Sequence, residues 1–340
     1  MADQHSTSTP AAARGKVALF GAAGAIGHSV AAALRAQGRP YRVVGRSEAS
    51  LRQGFGEDPL AEIVCWDPDV PASVQAAATG IETLVYMVGV DYWKFALHPP
   101  LLAKTLAGAR AAGVRQFVLI GTVYPYGRPR STPVREDHPR EPHTFKGRMR
   151  REQEDLLMAA DAAGQIKATI LRLPDFYGPG VGDKSFLASA FQVAAGSGTT
   201  ANMVGPLDRP HEFVFVPDVG PVVTRLMDTP AAYGHVWHLA GAGVTSQLEM
   251  VREIERQIGH PLKLRVAGKT MLRVIGWFKP AVRELVEMHY LLTEPVIMDD
   301  SALTTLIGPI AKTPYPEGVR LTLQAMRQTP TARHPHRESA

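Results

Sequence analysis

The chain has 340 residues, of which 45% are apolar and 20% charged, with a formal net charge of +5. This describes a soluble globular protein with enough chain for a sizeable core, in one large domain or two smaller ones. No apolar run approaches the ~20 residues that span a bilayer, residues 1–14 lack the apolar segment of a secretory signal, and the scattered positives lack the aromatic-interleaved basic face of a nucleic-acid binder. The single cysteine, Cys65, excludes an intrachain disulfide framework and suits a reducing, cytoplasmic setting.

Residues 1–14 read as a disordered tail. The apolar run Val17 to Phe20 then enters Gly21-Ala22-Ala23-Gly24-Ala25-Ile26-Gly27, and a small-residue helix follows. A strand that turns sharply into a helix leaves backbone N–H groups unpaired at the helix N-terminus. Those donors and the helix dipole favour a pyrophosphate. Glycine at 21, 24 and 27 permits the tight turn, the approach of the phosphates and close helix–strand packing. The spacing is GxxGxxG rather than the general GxGxxG. The expectation of dinucleotide binding through Gly21, Ala23, Gly24, Ala25, Ile26 and Gly27 therefore rests on the flanking strand and helix as well as the glycines. An ordinary β–α turn explains one glycine better than three.

Strand-like runs at 16–20, 41–45, 61–66, 83–88, 116–121 and 168–173 alternate with helical patterns at 25–37, 47–54, 71–78, 99–112 and 147–163. That order belongs to a parallel sheet built from βαβ units. After the second strand comes Arg46-Ser47. A carboxylate there would accept from a free ribose 2′-OH, whereas an arginine suits a 2′-phosphate. The expected cofactor is NADP, held by Arg46 with Ser47 adding a donor, and NAD is the alternative; the competing reading is a solvated Arg46 beside a helix-capping Ser47.

Beyond Pro174 the alternation weakens into a helix near 183–194, the apolar run 211–220 with a strand at 213–219, a helix from about 218 to 228, a strand at 235–239 and an amphipathic helix at 246–258. Short strands are expected near 262–266 and 295–298. The predicted fold is α/β: a Rossmann-type doubly wound parallel sheet over 15–175, then a smaller, mostly helical substrate lobe over 176–328 whose chain returns to the sheet near 211–240. A second disordered tail is expected at 329–340. Ligands of open α/β sheets bind at the carboxyl edge of the strands, which places a small-molecule substrate between the two parts.

Five motifs in this order resemble the extended branch of the short-chain dehydrogenase/reductase superfamily, the group of nucleotide-sugar epimerases and dehydratases. They are the glycine loop, Met87-Val88-Gly89, Gly-Thr-Val-Tyr-Pro-Tyr-Gly at 121–127, Leu171-Arg172 with Tyr177-Gly178-Pro179, and Phe215-Val216-Pro217-Asp218-Val219. The resemblance runs from about residue 15 to 325. It implies that Asp67 accepts from the adenine amino group, and that Trp66, Val88, Gly89, Thr122, Arg150, Pro174 and Phe176 also line the cofactor.

The same resemblance exposes a departure. The family pairs a Ser or Thr hydroxyl with a Tyr and a Lys in a YxxxK motif; here Thr122 keeps the hydroxyl, but Lys146 stands at the tyrosine position and Arg150 at the lysine position. Arg150 can bind ribose hydroxyls but keeps its charge at working pH. Lys146 is one candidate for moving the proton and Tyr124 the other, with anion binding or plain solvent exposure as the alternative for Lys146. Tyr126, Asp175 and Arg209 are the expected substrate contacts, Asp175 replacing a substrate-binding Asn of many relatives and disfavouring a pyrophosphate. His98, His138 and His143 lack metal-ligand spacing, and no metal site is expected. The apolar stretch Met271–Phe278 packs against a core, lines a pocket or touches a membrane surface, and 284–292 is expected to pack. Two functions remain in view. One is an NADP-dependent oxidoreductase or epimerase/dehydratase-like enzyme for a small carbonyl or alcohol, with a homodimer left open; the other is a non-catalytic sensor of NADP(H).

Overall fold

Strand residues in the first half of the chain alternate between two apolar layers, one on each face of a sheet. The computed structural model describes residues 15–328; the two expected tails lie outside them. In chain order the first part comprises β1 (Val17–Phe20), α1 (Ala25–Ala36), β2 (Tyr41–Gly45), α2 (Glu48–Phe55), β3 (Ala61–Cys65), α3 (Pro71–Ala78), β4 (Thr83–Tyr86), α4 (His98–Ala111), β5 (Gln116–Thr122), α5 (Phe145–Ala162) and β6 (Lys167–Leu173). There follow β7 (Asp175–Tyr177), α6 (Ala188–Ala194), β8 (Ala201–Val204), β9 (Phe213–Phe215), α7 (Val216–Met227) and β10 (Val236–His238). The chain continues through α8 (Gln247–Ile258), β11 (Leu264–Ala267), α9 (Lys269–Gly276), α10 (Pro280–Met288), α11 (Tyr290–Thr293), α12 (Ser301–Ile307) and α13 (Tyr315–Gln328).

Seven strands pair in parallel in the order β10-β6-β5-β4-β1-β2-β3. Side chains of a strand point alternately to opposite faces. Accordingly Val17, Leu19, Val43, Val85, Val118 and Leu171 pack with α1 and α7, while Ala18, Phe20, Leu84, Tyr86, Phe117 and Ile170 pack with α3, α4 and α5. A sheet covered on both faces needs strands that are apolar throughout, which is why these runs read as continuous rather than alternating. Helices α1 and α7 meet closely at Gly220, where a β-carbon would lie 2.1 Å from the Ser29 carbonyl oxygen.

The C-terminal part builds its own core from Phe191 of α6, Met203 of β8, Phe213 and Phe215 of β9, Ile254 of α8 and Leu323 of α13. Two differences from the sequence expectation have local causes. Residues 213–219 do not continue as a strand, because Pro217 starts helix α7 immediately after Phe215. Residues 295–298 form no strand; Met298 makes an isolated bridge to Val134, whose N–H donates to the Ile297 carbonyl at 2.7 Å. The apolar stretch around 271–278 is largely outside the core: it buries Leu272 but leaves Trp277 and Phe278 exposed.

Candidate active site

The β1–α1 turn is shaped by backbone contacts that admit only glycine at two of its three positions. Gly21 has φ of +87°, and a β-carbon there would lie 2.8 Å from the backbone of Met87 and Val88. At Gly27 a β-carbon would lie 2.1 Å from the Ala22 carbonyl oxygen. Gly24 is different: only the Gly21 carbonyl, at 3.7 Å, would neighbour a β-carbon. The protein itself tolerates a side chain at 24, so the space kept clear lies on the ligand side. Gly24 caps the 12-residue α1 without a side-chain hydrogen bond, and no acidic residue occupies the first turn. The donors at Ala25 and Ile26 and the positive end of the helix are thus arranged for a pyrophosphate. These residues fit a dinucleotide on the structure's own geometry.

Around this turn lie the other expected cofactor positions. Arg46 is exposed directly after β2. Glu48, the nearest carboxylate in sequence, is engaged by Arg52 at 2.6 Å. Ser47 caps α2, its hydroxyl accepting from the Ser50 N–H at 3.3 Å. Asp67 is exposed and accepts from the Asp69 N–H at 2.9 Å, while the Trp66 ring is buried edge-on to Phe20. Trp66 therefore offers a cofactor its backbone rather than its indole. Val88 and Gly89 follow β4 beneath the glycine turn, and Pro174 with Phe176 leaves β6, the Phe176 ring packing on the α1 side of the sheet.

At the carboxyl ends of β4, β5 and β6 the polar side chains form a connected cluster. Lys146, near the start of α5, is fully buried and ion-paired with Glu284 and, at 3.1 Å, with Glu287 of α10. The Glu287 carboxylate also accepts from the Lys146 backbone N–H at 2.9 Å. The ammonium sits 5.3 Å from the Tyr92 ring centre and 5.7 Å from that of Phe95, close enough for both rings to face the cation. One turn further along α5, Arg150 donates to the Ile120 carbonyl at 2.9 Å, to Gln153 at 2.6 Å and toward His98 Nδ1 at 3.3 Å. Its hydrogen bonds are internal. Burial and the Arg150 charge push His98 down to about 2, so that ring is neutral.

Two phenols face one another here: the Tyr92 and Tyr124 hydroxyl oxygens are 2.7 Å apart. Thr122 lies two residues before Tyr124, and its hydroxyl accepts from the Tyr124 N–H at 3.4 Å. Burial raises Tyr124 well above the ordinary phenol range, and Tyr92 and Asp175 add to that shift. Burial likewise pushes Tyr92 up to about 12. Asp175 pairs with His211 Nε2 at 2.5 Å. Thr122, Tyr124, Lys146 and Asp175 are thus brought to one edge of the sheet, whereas Arg209 is an exposed loop residue before β9.

Tyr126 corrects the expectation of a substrate contact. It is fully buried, its hydroxyl 2.5 Å from His238 Nε2 and its ring 4.5 Å from the Arg172 guanidinium. Arg172 in turn donates to Glu154 at 3.0 Å. Tyr126 is a strut beneath the site, because its phenol completes a buried network rather than reaching solvent. Sequence reasoning missed Tyr92, Glu284 and Glu287. The two glutamates recur at a three-residue spacing on an amphipathic helix, a signal that marks a face of α10 but not what the face meets.

The family model described as the NAD dependent epimerase/dehydratase family matches residues 17–240. Among curated relatives, a UDP-glucose 4-epimerase from Azospirillum brasilense is 32% identical over 47% of this chain and 49% of its own. A ceramide reductase from Caulobacter vibrioides is 30% identical over 54% and 53%, so the chain spans about half the length of each. Among solved structures, the UDP-glucuronic acid 4-epimerase from Bacillus cereus in complex with NAD superposes with a TM-score of 0.73 over 92% of this chain and 99% of that one, at 18% identity. The sheet order, the glycine turn and the family match over residues 17–240 agree: the chain belongs to the NAD dependent epimerase/dehydratase family, a family of enzymes.

Proposed function

We propose that this chain is an NADP-dependent oxidoreductase acting on a carbonyl or alcohol, that it is suited to carbonyl reduction, and that Tyr124 rather than position 146 donates the proton. The observation that carries the reading is the Tyr92–Tyr124 hydroxyl contact at 2.7 Å, two residues beyond Thr122. A bound dinucleotide supplies the hydride. The remaining work falls to the chain.

A phenol becomes a base when a nearby cation stabilises its anion. Here the nearest lysine is held by two carboxylates, and burial with the charge of Asp175 opposes phenolate formation. Tyr124 therefore stays protonated at neutral pH. An alkoxide forming from a carbonyl is a far stronger base than a phenolate, so a neutral phenol at hydrogen-bond distance is a competent acid for reduction. The Tyr92 hydroxyl, 2.7 Å away, is placed to replace the proton that Tyr124 gives up. Thr122 supplies a second hydroxyl to the same oxygen. Arg150, bound to the Ile120 carbonyl, fixes the end of β5 and contributes a permanent positive charge beneath the site.

Cofactor and substrate preference follow from charge. Arg46 is exposed directly after β2 while Glu48 is occupied by Arg52, which supports NADP over NAD. Asp175 places a carboxylate beside the reacting region and disfavours a nucleotide diphosphate, so a neutral substrate is favoured. The test is a fluorescence titration with NADPH and NADH, followed by NADPH oxidation on a panel of soluble carbonyls. The expected result is tighter binding of NADPH and turnover with at least one carbonyl. Tight NADPH binding without turnover on any of them defeats the proposal.

A further inference from the structure

We infer that the α9–α10 hairpin is a docking surface for an anionic lipid bilayer. Along α9 and the turn after it, Met271 and Val274 are 47% and 49% exposed, and Trp277 and Phe278 are each 81% exposed. Positions 271, 274 and 278 follow helical spacing, so they share one face with the neighbouring 277. The opposite side of the helix buries Leu272 and Gly276. Gly276 lets the two helices cross closely, since a β-carbon there would lie 2.9 Å from the Arg283 Cα. The apolar stripe is therefore presented outward by a braced hairpin rather than by a loose loop.

Charge decides the occupant. Residues 257–283 contain Lys263, Arg265, Lys269, Arg273, Lys279 and Arg283 and no carboxylate. The first acidic residues beyond them, Glu284 and Glu287, pair with Lys146, Glu284 also meeting Arg283 at 3.7 Å. A tryptophan and a phenylalanine flanked by lysines and arginines, on a short amphipathic element too short to span, match the interface of a bilayer with negative headgroups. Such a helix lies in the surface plane and buries its apolar face roughly 5–10 Å deep. Helix α10 also rises from Lys279 to Glu287, a span of about 12 Å. The element that meets the lipid is thus the one whose far end holds Lys146 at the candidate site, which suits access to an amphiphilic substrate.

The test uses the whole protein and sucrose-loaded vesicles of phosphatidylcholine alone or mixed equally with phosphatidylglycerol, sedimented at low and high salt. Binding is expected only to the anionic vesicles, weaker in high salt. Changing Trp277→Ser and Phe278→Ser together should weaken it about tenfold or more, and Lys279→Glu by about fivefold or more. These side chains are exposed, so the variants should melt like the parent. NADPH affinity should be unchanged, which separates failure here from failure of the proposed reaction. No binding to anionic vesicles at low salt overturns the inference. So does binding that survives the double change, and so does a double change that alters only self-association or pull-down of another protein.

Discussion

The β1–α1 turn and the α5–α10 contact lie on the same ligand-facing edge, yet they are built in different ways. The turn is a local device: Gly21 and Gly27 meet backbone a few residues or one strand away and are fixed by steric exclusion, while Gly24 keeps space open on the ligand side. The α5–α10 contact is a long-range device, in which a buried ammonium is neutralised by carboxylates arriving 138 and 141 residues later. The first offers a cofactor uncapped donors. The second ties up the ammonium of Lys146 in a buried ion-pair network. A cofactor loop can thus keep its glycines while the polar side chains beside it are held by partners from distant segments.

The contrast breaks most severely at the glycines. Gly27→Ala drives a methyl against the Ala22 carbonyl and should cost about 3 kcal/mol, read as a lower denaturation midpoint, together with loss of NADPH binding. Gly24→Ala sharpens the point: with room on the protein side, stability should change by only about 0.5–1 kcal/mol while NADPH affinity falls about tenfold or more. Equal stability losses at 24 and 27 would show that position 24 is not kept open for a ligand.

Next in size is Lys146→Met, which leaves two partly buried carboxylates without their cation and should destabilise by about 2–3 kcal/mol. Adding Glu284→Gln and Glu287→Gln should recover much of that loss, because the three groups act as one unit. Full additivity in urea melts would contradict the buried ion-pair account. Smaller still, Arg46→Ala should weaken NADPH about tenfold and leave NADH affinity unchanged; equal losses for both cofactors would remove the 2′-phosphate contact.

A last effect is read across pH and concerns Glu212, which burial pushes up to about 7. The native state then holds a proton that the unfolded state, near the ordinary carboxyl value, has released. Stability should therefore fall as pH rises from about 4.5 to about 7, and Glu212→Gln should flatten that slope in melts followed across pH. A slope unchanged by the substitution would place the titration elsewhere.

Much of the fold was legible because its signals are short-range. Strand runs, Pro at helix starts and the β–α turn each act within a few residues, and Val17–Phe20 entering Gly21 is the clearest instance. The end of β9 was misplaced because Phe215-Val216-Pro217 is apolar enough for a strand, and only the proline's place at a helix start decides otherwise. At the site, Thr122, Tyr124 and Lys146 were identifiable from motif position, but their roles depend on partners in distant segments. Nothing near Tyr92 in sequence announces Tyr124, and nothing near Lys146 announces Glu284. Tyr126 was assigned to substrate because motif position says nothing of burial, and its His238 partner lies 112 residues away.

The central claim is that the proton comes from Tyr124, and transfer of deuterium from labelled NADPH to a reducible carbonyl tests it most directly, with wild type and Tyr124→Phe compared in single turnovers. The account predicts transfer by the wild type and a loss of about a hundredfold or more in rate for the variant, with NADPH affinity unchanged. A variant that transfers deuterium as fast as the wild type would contradict it.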